Sequence, residues 1–158
     1  MSEENTESTS IPRLAELAEF RYQLRTFLSF SEAASDACGT VAQQYQLMQV
    51  IAATPEGRSA SISYLAERMI LRHNSAVELV DRAERAGMVR RRNDEQDLRR
   101  SLVELTPAGR EILQQLVAQH LEYLKTHGEE IVRTLRTLQS TPQGGKRKSA
   151  EGGADGER

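Results

Sequence analysis

The sequence predicts a mainly helical protein with one small β-hairpin. Three observations carry that expectation. Leu, Ala, Glu, Arg and Gln abound across the 158 residues while Trp is absent, a composition that leans to helix. Apolar residues recur at three- and four-residue steps through most of the chain, which is the helical period. That period fails only between Met88 and Leu105, where alternation and a turn-rich middle replace it.

The elements follow in order. Residues 1–12 are polar, rich in Ser, Thr and Glu, and end at Pro12, so they are expected to be disordered. A long helix is predicted over about 13–38, because Leu17, Phe20, Leu24, Phe27, Ser31, Ala34 and Cys38 form one stripe, with Gly39 as its stop. Such a helix is long for a small domain, and a second subunit is the simplest partner for it. A second helix covers Val41 to about Ala53, with Val41, Tyr45, Met48 and Ile51 or Ala52 on one face. Two short helices follow, about 62–69, capped by Ser61, and about 74–86, closed by Gly87. In the second of these, Ala76, Leu79, Val80 and Ala83 make a narrow apolar stripe, with Asn74, Ser75, Glu78 and Arg82 toward the other side.

Met88–Arg92 then reads as a strand, Asn93–Asp97 as a turn, and Ser101–Leu105 as the returning strand, with Leu102 or Val103 on the buried side. Thr106 caps the next helix and Pro107 takes its first position. That helix is expected to run to His127 on Leu113, Leu116, Val117, His120, Leu121 and Leu124. Gly128 is expected to break it before a last helix over about 129–138. Residues 139–158 are rich in Gly, Ser and Pro and read as a disordered tail.

The formal net charge of −2 hides an asymmetry. Residues 1–57 hold three basic and eight acidic side chains, whereas residues 58–110 hold eleven and eight. Every basic residue of that middle segment is arginine, the side chain suited to bidentate contact with phosphates and guanine edges. Five of them lie in the stretch RRRNDEQDLRRSLVELTPAG, residues 90–109. Alone, such a run reads as a solvated loop of mixed charge. Its neighbours change that reading. Two short helices followed by a two-stranded ribbon is the layout of a winged helix-turn-helix, whose second short helix enters the DNA major groove. The ribbon can then place an arginine in the minor groove, where a narrow groove has enhanced negative potential.

The stretch LAERMILRHNSAVELVDRAERAGMVRRRNDEQDLRRSLVELTPAGREIL, residues 65–113, resembles the MarR family of bacterial transcriptional regulators. The marks are Leu65-Ala66, Ser75-x-Val77, Val80-Asp81-Arg82, Gly87-Met88-Val89, Asp97-x-Arg99 and Val103-x-Leu105-Thr106-x-x-Gly109, in order and at the right spacing. The resemblance covers about 13–138 as one domain. It implies dimerisation helices at about 13–38 and 107–138 and a winged helix-turn-helix at about 41–106. It further implies a homodimer on a pseudo-palindromic operator of double-stranded DNA. The expected activity is repression relieved by a small, aromatic or phenolic effector. Asn74, Ser75, Glu78 and Arg82 become candidate base or phosphate contacts. Arg99 falls on the wing arginine, with Asp97 as its structural partner, and Arg91, Arg92 and Arg100 become candidate backbone contacts. His73 is a further candidate, as a cap or a phosphate contact. Glu78 and Leu98 depart from the pattern. A carboxylate at Glu78 accepts from a cytosine amino group, pairs with Arg82 one turn on, or points away. The alternative reading is a winged-helix module that binds another protein, which Glu78 and the acidic first 57 residues favour.

The remaining chemistry is sparse. His120 lies on an apolar helix face and reads as a core or interface group, and its spacing to His127 lacks the further ligands of a zinc site. Cys38 is the sole cysteine, with little positive charge nearby in sequence to make it reactive. No Gly-rich phosphate loop, metal-spaced set or nucleophile elbow occurs, so neither enzyme activity nor a cofactor is expected. The polar start is not a secretory signal and no apolar run spans a bilayer, so a cytoplasmic protein is expected.

Overall fold

The computed structural model describes residues 11–140. The disorder expected of the two ends falls outside that range. The exceptions are Ile11, Pro12, Gln139 and Ser140, of which Gln139 ends the last helix. The elements are α1 (Leu14–Ala37), α2 (Ala42–Ala52), α3 (Ile62–Met69), α4 (His73–Arg85), β1 (Val89–Asn93), β2 (Ser101–Leu105) and α5 (Pro107–Gln139).

The core forms where α2, α3, α4 and the hairpin close on the first half of α5. Tyr45, Leu47, Met48, Leu65, Leu79, Val80, Val89 and Leu116 are its most buried members. Ser61 caps α3 as expected, its hydroxyl oxygen accepting from the Tyr64 amide at 3.3 Å. Gly87 closes α4 in the left-handed region (φ 75°), which lets the Met88 amide turn back to the Ala83 carbonyl at 3.0 Å. On α2, Val41 proves to be the half-exposed cap residue and Ala52 is exposed, while Leu47 adds to the buried set.

The antiparallel hairpin pairs Val89 with Leu105 and Asn93 with Ser101. Both Leu102 and Val103 are buried, although they point to opposite faces of β2. Strand β2 packs against α2, α3 and α5, and its outer edge is taken as well. On the side away from β1 it bridges to Ser61, and the Val103 amide donates to the Ala60 carbonyl at 2.9 Å.

The fifth helix is the main correction. It runs unbroken for 33 residues through Gly128, and the described residues hold no separate sixth helix. A helical glycine costs only about 1 kcal/mol against alanine, which a helix this long absorbs. The helices α1 and α5 pack together and run antiparallel. The Arg13 guanidinium reaches the carbonyls of Thr137 and Leu138 at the end of α5, where a cation suits the helix dipole. At the other end, Ser31 and Cys38 meet His120 and Gln119.

The start of α5 is fastened to the root of the wing. The Thr106 hydroxyl oxygen accepts from the Gly109 amide at 3.0 Å and donates to the Gly87 carbonyl at 2.6 Å. A Cβ on Gly109 would stand 2.0 Å from the Met88 carbonyl oxygen, a backbone atom that cannot swing aside. A Cβ on Gly128 would meet nothing nearer than Leu124 Cβ at 4.0 Å. Gly109→Ala should therefore lower the unfolding free energy by at least about 2 kcal/mol in urea titrations. Gly128→Ala should raise it by about 0.5–1 kcal/mol. A loss at Gly128 would mean that the helix does not continue there.

Candidate nucleic-acid interface

The geometry of α4 follows from its stripe. Ala76, Leu79, Val80 and Ala83 are buried, which leaves His73, Asn74, Ser75, Glu78 and Arg82 exposed on the opposite side. The cap position belongs to Arg72, whose side chain makes no cap hydrogen bond, so His73 is the first helical residue and not a cap. Its side chain lines a crevice with Ser61, Ser63, Arg99, Arg100 and Ser101. The start of α4 thus faces the wing.

Glu78 and Arg82 do not pair. The Arg82 guanidinium donates to Gln43 Oε1 at 3.3 Å, and Glu78 has no ion-pair partner among the described residues. The carboxylate is left free in the middle of the outward face.

The wing sorts its arginines by strand register. Arg90 and Arg92 project to one face, where both meet Glu104 across the hairpin, at 2.6 and 3.3 Å. Arg91 projects to the other face and reaches back to α4. It holds Asp81 Oδ1 and Glu84 Oε2, each at 2.6 Å. Its amide also donates to Glu84 Oε1 at 3.0 Å. Arg91 was expected on a DNA phosphate, and the fold turns it inward on two carboxylates instead. Sequence reading missed Asp81 and Glu84 as partners. Their three-residue spacing put them on one helix face, but only the fold of the hairpin shows that Arg91 meets them.

At the tip, Asp97 acts through the backbone. Its Oδ1 accepts from the Arg99 amide at 3.0 Å, and its carbonyl accepts from the Arg100 amide at 2.9 Å. Asp97 therefore shapes the turn that presents Arg99 and leaves the guanidinium without an ion-pair partner among the described residues. Arg100 contacts Ser59 Oγ at 3.4 Å. Arg58, not anticipated from sequence, joins Arg92 and Arg100 along a groove under the wing.

His120 is buried between α1, α2 and α5 among Phe27, Phe30 and Tyr45. Its Nδ1 lies 2.7 Å from the Leu116 carbonyl, which can only accept, so Nδ1 carries the proton. Nε2 then accepts from the Ser31 hydroxyl at 2.9 Å. The ring is satisfied where it stands. No group of three or more side chains able to hold a metal occurs among the described residues, nor a helix long and apolar enough to cross a membrane.

The fold is shared by known structures. The Staphylococcus aureus regulator MepR, a transcription regulator of the multidrug efflux pump MepA, superposes with a TM-score of 0.66 at 16% identity, over 79% of this chain and 95% of that one. AbsC from Streptomyces coelicolor, a MarR family transcriptional regulator, gives 0.64 at 22% identity, over 83% and 94%. The chain has the MarR fold. The M. tuberculosis regulator MOSR, in complex with DNA, gives 0.56 at 21% identity, over 77% and 91%. No family model and no curated protein matches the sequence, so the MarR likeness is one of shape.

The tie between the MarR-type wing and α4 is sensitive to acid. The amide and guanidinium of Arg91 hold the Glu84 carboxyl below its ordinary value. A carboxyl depressed in the folded state adds stability above its unfolded pKa of about 4.3, and that stability is lost as pH falls through the folded value. The stability difference between wild type and Glu84→Ala should be constant above about pH 5.5 and shrink below about pH 4. Thermal melts between pH 3 and 7 check this, and a difference that grew on acidification would exclude the pairing.

Proposed function

We propose that the chain is a homodimeric, sequence-specific DNA-binding transcriptional regulator, a repressor relieved by a small aromatic or phenolic effector. The observation that carries the reading is the pairing of two surfaces. The outward face of α4, with Asn74, Ser75, Glu78 and Arg82, stands beside a wing whose Arg99 has no carboxylate partner among the described residues. A helix of that width fits the major groove, and a free arginine on an adjoining ribbon suits the minor groove. His73 and Arg100 line one crevice at the wing and Arg92 and Arg100 another, which supports reading them as contacts to a phosphate strand.

The dimer rests on α1 and α5. They are about 36 and 50 Å long and leave Leu17, Leu24, Leu28, Leu121, Leu124 and Val132 exposed. A second copy that covers these side chains would set two α4 helices at a fixed spacing, matched to a pseudo-palindrome. The effector acts on that spacing. A ligand that binds better to a dimer of the wrong spacing lowers DNA affinity by that differential affinity alone.

The test begins with duplexes selected by the purified protein from a random pool. Affinity should fall steeply with salt, as log K against log salt with a slope of about −0.9 per phosphate contacted. Arg99→Ala should weaken binding about tenfold and reduce the steepness by about one per protomer, with sedimentation and Tm unchanged. Failure to select any preferred sequence at low salt would remove the DNA-reading function and favour a protein-binding module.

A further inference from the structure

We infer that Arg91, Asp81 and Glu84 form a clasp that makes the wing and the recognition helix move as one body, so that Arg91 is a positioning residue for DNA binding. This rests on the DNA-binding reading above. Four observations lead to it.

First, the two strands of the hairpin are held differently. Strand β2 is anchored on its outer edge by the Ala60 carbonyl and the bridge to Ser61. Among the described residues, strand β1 has no strand on its outer edge. A two-stranded hairpin is marginal by itself, so the free strand needs another tie. Second, the clasp supplies it at the middle of β1. Three hydrogen bonds of 2.6, 2.6 and 3.0 Å run from Arg91 to two carboxylates one helical turn apart on α4. Charge-assisted bonds from one planar guanidinium to two acceptors fix orientation as well as distance.

Third, the charges have the wrong sign for any direct role on DNA. Two carboxylates against one guanidinium leave a net negative charge beside the reading surface. Fourth, Glu84 sits in the last turn of α4, where the helix dipole disfavours an acid and where alanine is the better helix former. Nothing local to α4 favours Glu84. Its bonds to Arg91 do. The clasp sets the distance from the outward face of α4 to Arg99, which must reach neighbouring grooves together.

The experiment compares wild type with Glu84→Ala, Arg91→Gln, Arg91→Lys and the Glu84→Ala/Arg91→Gln double variant. Each is titrated by fluorescence anisotropy against a duplex that wild type selects, over a range of salt. Hairpin amide exchange is measured on the free proteins. Glu84→Ala removes a negative charge near DNA, so electrostatics alone gives tighter binding. The clasp gives the opposite, a weakening of about tenfold. Arg91→Gln should weaken binding about as much with the salt slope unchanged, and the double variant should be no worse than Arg91→Gln. Lysine, which cannot reach both carboxylates in the same way, should not restore affinity. Hairpin amides should exchange faster in every variant.

Tighter or equal binding by Glu84→Ala would overturn the clasp. So would a fall in salt slope of about one per protomer in Arg91→Gln, the mark of a lost phosphate contact. If wild type selects no duplex, the DNA reading falls separately. The clasp is then judged by amide exchange, and an unchanged hairpin in Glu84→Ala overturns it.

Discussion

The contact on which the rest of the molecule depends is the close approach of α5 to the backbone of Met88. Gly109 lies against that carbonyl with no room for a Cβ, and Thr106 ties the same turn to Gly87. The residues before the contact belong to the helix-turn-helix and its wing. The residues after it form the longest helix of the chain. A joint this tight carries the direction of α5 directly into the reading head. In the proposed dimer, whatever sets the angle between α5 and the second copy therefore also sets where α4 points. The antiparallel packing of α1 on α5, closed by Arg13 at one end and by Ser31 and His120 at the other, stiffens the lever on the far side of the joint.

Electrostatics then divides the arginines between holding and reaching. Arg91 is held by two carboxylates of α4 and fastens the hairpin to that helix, whereas Arg90 and Arg92 share the one carboxylate of Glu104 across the hairpin and keep a net positive charge there. Arg99, carried on a turn that Asp97 shapes through backbone amides, has no ion-pair partner among the described residues. The mixed charge of this stretch is therefore no average solvated loop, because acids and bases sit at positions that decide which cations can face outward. Arg58 and Arg100 extend the outward-facing set under the wing. The acids that look unhelpful for binding a polyanion are the ones that place the cations.

Much of this was legible in the sequence. The stripe of Ala76, Leu79, Val80 and Ala83 fixed the inner face of α4, and hence its outer face, because helical periodicity leaves little choice. The Thr106-Pro107 start and the change of period at Met88 located the hairpin root by local chemistry alone. Other features needed the third dimension. Gly128 read as a breaker because a glycine's local cost is visible in sequence, whereas the packing that offsets it is not. Leu102 and Val103 looked like alternatives because the helices that pack on β2, and the Ala60–Ser61 segment along its outer edge, come from other parts of the chain. Arg91 looked like its neighbours Arg90 and Arg92. Only strand register, together with the way the hairpin folds back on α4, gives it different partners.

In the proposed dimer, two stiff levers, each ending in a helix-turn-helix, imply a fixed spacing between contacts on DNA. Hydroxyl-radical footprinting of the wild-type protein on a duplex that it selects measures that spacing directly. The expected result is two symmetric protected patches, with centres about one helical turn apart and weaker minor-groove protection beside each. A single continuous patch, or protection that does not depend on sequence, would contradict it.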